Sequence, residues 1–137
     1  MPIAQWDDYL SVGCDKIDGQ HEKIFAYVKM LQGSIKEEYR EGDMRLLIVD
    51  LYRYARFHFA EEESLMRTAA YPMIGDHISG HNEFLVGLDR FVVDDKIDSM
   101  SMRVEVVGFL MSWILDHMPY ADQTFFLYLN SHDGCSV

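Results

Sequence analysis

The sequence predicts an all-α protein: an up-down-up-down antiparallel four-helix bundle with an N-terminal arm and a short C-terminal helix. Four long segments repeat apolar residues every three or four positions, the period of an amphipathic helix. The connections between them are short, which favours antiparallel neighbours. No stretch alternates in the manner of a strand, and there is no low-complexity tract or repeat.

Residues 1–18, "MPIAQWDDYLSVGCDKID", read as the arm, with Trp6, Tyr9 and Leu10 as anchors. The first helix is predicted over about 19–40, with Ile24, Val28, Leu31 and Ile35 on one face, Asp18 as N-cap and "REGD" as its end. The second covers about 43–68 and closes at "AAYP". The third covers about 74–94, with Ile74, Ile78, Leu85, Leu88 and Val92. The fourth covers about 99–117, with Val107, Leu110, Trp113 and Ile114, and Pro119 should interrupt it because proline lacks the amide hydrogen and clashes with the preceding turn. A short tail helix is predicted over about 120–131.

A length of 137 residues fits one domain, 1–137, with a real core. The initial Met leads us to expect an independent protein. Lys plus Arg is 12 against 23 for Asp plus Glu, a net charge of −11. That balance argues against nucleic acid and against docking on anionic lipid, both of which need a basic surface. No run of about 18 apolar residues marks a membrane span, and the N-terminus lacks a secretory signal. Cys14 and Cys135 belong to no Cys-x-x-Cys pair, so free thiols in a reducing cytoplasm are expected, with a bridge between the terminal segments as the alternative.

Chemistry concentrates around "FHFAEEES", residues 57–64. Each helical residue advances about 100°. The stripe Leu47, Leu51, Ala55 therefore turns His58 and Glu62 inward and leaves Glu61 and Glu63 solvated. An unpaired buried carboxylate costs several kcal/mol or takes up a proton. No Lys or Arg shares the face of Glu62, which leaves a metal as its candidate partner.

Five of the six histidines fall on inward stripes. His77 and His81 are four apart, as a chelating pair on one helix face must be. His58 and Glu62 repeat that spacing; His117 precedes Asp122 by five; His21 stands in the first turn of the first helix. In an antiparallel bundle all seven land at one end. His132, in the tail, reads as solvated. Taken singly, an inward histidine is more often a satisfied core residue, and a lone Glu62 or Asp122 half of an ion pair or a cap; it is their convergence that points to metal.

Imidazole with carboxylate and no thiolate suits iron, manganese or zinc. Seven ligands exceed one tetrahedral zinc. With both carboxylates bridging, five histidines fill five positions, the carboxylates four, and one bridging oxo or hydroxo two. Eleven of the twelve positions of two octahedral ions are then taken, and one stays open for a small diatomic ligand. Ile24, Phe59, Trp113, Ile114 and Met118 lie within a turn of the histidines and are core in any case; as walls of the open position they would exclude water.

The segments "W…VGCDKIDGQHEKIF", "HFAEEESLM", "YPMIGDHISGHNEFL" and "WILDHMPYAD" resemble the hemerythrins, in their bacterial single-domain form, over essentially the whole chain. The resemblance implies two irons with a bridging oxo or hydroxo. His77, His81 and His117 would hold one iron, His21 and His58 the other, which keeps the vacancy, and Glu62 and Asp122 would bridge them. It implies O2 as ligand, for carriage, storage or sensing, with NO or azide as further small ligands. Met118 departs from the branched aliphatic residue that many relatives carry. The competing readings are a di-iron enzyme acting on peroxide, O2 or nitric oxide, and iron storage or detoxification. Ferritin-like di-iron enzymes use Glu-x-x-His pairs, and this chain has none.

Overall fold

The computed structural model describes residues 6–35 and 42–132, with the His132 side chain outside that set. A one-turn 3-10 helix, Asp8–Leu10, leads into α1, Asp15–Gly33; then follow α2, Asp43–Thr68, α3, Ile74–Val92, α4, Met100–Asp116, and α5, Gln123–His132. Each of α1 to α4 contacts the next, and α1 contacts α4, so the four close into a ring. Polar contacts fix the antiparallel order. Arg103, early in α4, donates to the Ser34 carbonyl after α1, 2.9 Å away. Arg45, early in α2, donates to the Val92 carbonyl at the end of α3, 2.7 Å away. Trp113, late in α4, donates its indole N–H to the Gly80 carbonyl, early in α3, over 3.2 Å.

Several predicted ends shift. The first helix starts at Asp15 and not near 19, with Cys14 at its N-cap. Asp18 does not cap it: its carboxylate accepts from the Ser11 hydroxyl and from the Val12 amide, 2.9 Å away, and so ties the arm to the helix. The same helix ends at Gly33. The predicted extension through 36–40, and the first half of "REGD", lie outside the described residues. The third helix stops at Val92, two residues early.

At "AAYP" the second helix ends in a Schellman motif. The Tyr71 amide bonds to the Met66 carbonyl and the Ala70 amide to the Arg67 carbonyl. Ala70 has φ of 53°, the left-handed conformation that glycine adopts more readily. The fourth α-helix ends at Asp116, as Pro119 predicts, but the chain stays helical. Residues His117–Asp122 form a π-helical turn, and α5 continues from it. Widened i→i+5 bonding absorbs a residue that cannot donate.

Two apolar clusters fill the interior. The larger runs along the bundle through Ile24, Val28, Leu51, Phe84, Leu88, Leu110 and Ile114. Between α3 and α4, Gly87 permits close approach, since a Cβ there would lie 2.2 Å from the Phe109 ring. The smaller joins Val12, Cys14 and Ile17 to Met66, Tyr71, Phe125, Phe126 and Leu129, so the start of α1 and the tail helix close one end together. Cys14 is buried there and disulfide-bonded, which corrects the expectation of a free thiol; a reducing compartment no longer follows from it. Cys135 lies outside the described residues.

Candidate metal centre

The closed end gathers all seven predicted donors. Glu62, His77, His81, His117 and Asp122 bring one donor atom each within 4.8 Å of one another, and so do His21, His58, Glu62 and Asp122. Both carboxylates belong to both groups. Local structure explains the convergence. The α-helical spacing of four stacks His58 with Glu62 and His77 with His81. The spacing of five between His117 and Asp122 would splay an α-helical pair, but they lie on the π-turn, which returns Asp122 Oδ1 to 2.7 Å from His117 Nε2.

Each carboxylate divides its oxygens between the groups. Glu62 Oε1 lies 2.7 Å from His77 Nε2 and 3.1 Å from His81 Nε2. Its Oε2 lies 3.4 Å from His58 Nε2 and 3.8 Å from His21 Nε2. Asp122 Oδ1 lies 2.9 Å from His77 Nε2, and Oδ2 lies 3.2 Å from His21 Nε2. Glu62 and Asp122 are 0% and 1% exposed, and among the described residues their ion-pair partners are all histidines.

These contacts leave much unsatisfied. Glu62 Oε2, both Asp122 oxygens and His117 Nε2 make no hydrogen bond despite their close neighbours. His21 Nε2 and His58 Nε2 face each other at 3.1 Å, one of them donating to the other. Converging donor atoms, several of them left unpaired, fit cation binding between them, with oxygen and imidazole ligands suited to iron, manganese or zinc.

Without cations the charges fall to protons. Burial lowers the His21 pKa, but Asp122 and Glu62 outweigh it and hold the imidazole up at about 9. Burial likewise opposes the His77 imidazolium, and the same two carboxylates raise it to about 9. For His58 burial prevails and the pKa falls to about 4. Burial works to raise Glu62, yet the neighbouring imidazoles of His21, His77 and His81 hold it well below the usual range. Burial and Glu62 work to raise Asp122, and His117 and His21 hold it low.

Two outer residues were not foreseen in site roles. Gln20 Oε1 lies 2.7 Å from His58 Nδ1, and Glu63 Oε2 lies 2.8 Å from His81 Nδ1. Glu63 is therefore not the solvated residue the helical wheel suggests. Glu61 is also half-buried and pairs with Lys16 at 3.2 Å. Adjacency to inward residues is the signal that could have found Gln20 and Glu63: each stands one position from a donor, His21 or Glu62.

Of the five predicted lining residues, two have ring contacts with donor histidines. Ile24, Phe59, Ile114 and Met118 are buried in the larger core, and Trp113 packs against it half-buried. Phe59 stacks on His81 with ring centroids 3.9 Å apart, and Trp113 on His117 at 4.2 Å. Trp6, foreseen only as an anchor of the arm, reaches within 6.5 Å of the His21 ring.

Comparison with known proteins agrees with this picture. Residues 12–129 match the family model "Hemerythrin HHE cation binding domain". A bacteriohemerythrin of Clostridium acetobutylicum is 28% identical over 124 residues, covering 88% of this chain and 96% of the relative. One from Stenotrophomonas maltophilia is 27% identical over 136 residues, covering 96% and 85%. A solved crystal structure of a leucine-to-phenylalanine mutant superposes with a TM-score of 0.77 over 94% of this chain and 98% of the other, at 20% identity, and so shares the fold.

Proposed function

The chain belongs to the hemerythrin HHE cation-binding family, and from that premise we propose that it holds two irons at the closed end of the bundle and binds O2 reversibly there. The observation that carries the proposal is the division of Glu62 and Asp122 between two histidine groups, three imidazoles on one side and two on the other. His77, His81 and His117 would hold one iron, His21 and His58 the second, and the two carboxylates would span both. Iron would supply the electrons and the open coordination position that O2 binding requires, with a bridging oxo or hydroxo as the remaining ligand.

The chain's own residues supply the rest. Gln20 and Glu63 accept from the δ nitrogens of His58 and His81, which turns the ε nitrogens inward as lone-pair donors. Ile24, Phe59, Trp113, Ile114 and Met118 would keep water from the open position, and a dry site favours reversible binding over turnover. The absence of any Glu-x-x-His pair sets this donor set apart from the ferritin-like di-iron enzymes.

The test is metal analysis of protein purified without added metal, with visible spectra under air and argon. The expected result is two irons per chain and a ligand-to-iron charge-transfer band that forms in air and fades under argon. Iron-free protein, or a spectral change that argon does not reverse, would contradict the reading.

A further inference from the structure

We propose that Glu63 and Gln20 make the two metal positions unequal in strength, Glu63 tightening the three-histidine position and Gln20 leaving the two-histidine position looser. The inference rests on the proposed metal centre and adds a role for two residues that touch no metal.

The geometry is parallel and the chemistry is not. His81 Nδ1 bonds to a carboxylate oxygen at 2.8 Å, and His58 Nδ1 to an amide oxygen at 2.7 Å. A carboxylate only accepts, so it fixes His81 with its δ nitrogen protonated and draws that proton strongly, which makes the ε nitrogen a better electron donor. A neutral amide oxygen fixes the same tautomer in His58 with far less pull. Glu63 is held for this work: Oε2 faces His81, while Oε1 lies 3.6 Å from Arg67 Nη2, one helical turn on and largely exposed. Gln20 is buried at 7% exposure.

The arrangement also suits the direction of the asymmetry. His81 shares Glu62 Oε1 with His77, whereas His58 faces Oε2. Strengthening His81 therefore anchors the position with more ligands, and the weaker neighbour beside His21 and His58 is left to carry the exchangeable ligand. Both Glu63 and Gln20 act through a histidine and are positioning residues.

Co2+ is the probe, followed by its visible absorption in competition with a chelator, on metal-free native protein and on Glu63→Gln, Glu63→Leu and Gln20→Glu. Native protein should take up two equivalents in two steps. Glu63→Gln, which keeps an acceptor and removes the charge, should weaken the tighter step by roughly 10–100-fold and leave the looser one within about twofold. Glu63→Leu should weaken that same step at least as much, and Gln20→Glu should tighten the looser one. Helical content of the metal-free forms, measured alongside, should match native protein, and so should the melting of Glu63→Gln. If Glu63→Gln leaves both steps unchanged, or weakens both equally as general loosening would, the inference is wrong although the metal centre stands. If native protein takes up no Co2+, the metal centre itself falls, and the inference with it.

Discussion

At the scale of single residues, the two carboxylates and the histidines make different predictions. Glu62 and Asp122 contribute to both donor groups, so Glu62→Ala should deplete both metals and lower stability together, because ligation is coupled to folding. His77→Ala should also lower iron content and stability. His58→Ala should remove only one of two equivalents. Elemental analysis beside thermal melting separates these outcomes, and a Glu62→Ala protein that kept both metals would contradict a bridging role. The gathering of these seven side chains at one end was legible in the sequence because helical spacing and bundle topology suffice to place them. Glu63 was not, because a helical wheel gives an angle about an axis. It does not show that a long side chain can curl back to an imidazole on the neighbouring helix.

At the scale of elements, the helix ends carry the lessons. Ala70 closes α2 with φ of 53°, a conformation that costs an L residue roughly 1 kcal/mol or more relative to glycine. Ala70→Gly should therefore stabilise the protein by about 1 kcal/mol, roughly 3 °C in thermal midpoint, and a lower midpoint would show that the turn is not strained. The apolar period gave the bodies of the helices, yet it could not tell whether Asp18 caps α1 or ties down the arm. Pro119 was expected to interrupt the fourth helix, and α4 does end at Asp116. The π-turn keeps the chain helical and brings Asp122 beside His117. A proline rule read one residue at a time has no access to that wider turn.

At the scale of the molecule, the bundle supplies a dry end that must hold charge. No helix among the described residues is long and apolar enough to cross a membrane. In metal-free protein the folded pKa values of His21 and His77, about 9, lie above the unfolded value near 6.5, so their contribution is complete below about pH 6.5 and is lost as pH rises through 9. His58, lowered to about 4, opposes folding as pH falls below 6.5. Glu62 and Asp122, both held below their usual values of 4.5 and 3.8, lose their contribution as pH falls further. Thermal midpoints of chelator-treated protein should thus peak around pH 6–7 and decline on both sides, and a midpoint rising from about pH 7 to 10 would be inconsistent with this charge balance. Iron-loaded protein should melt higher, since a ligand bound only by the folded state stabilises it. The most direct test of the whole account is anomalous diffraction at the iron edge from crystals of protein loaded with Fe2+. It should show two peaks at the closed end, one beside His77, His81 and His117 and one beside His21 and His58, with Glu62 and Asp122 reaching both. A single peak, or none among these residues, would contradict it.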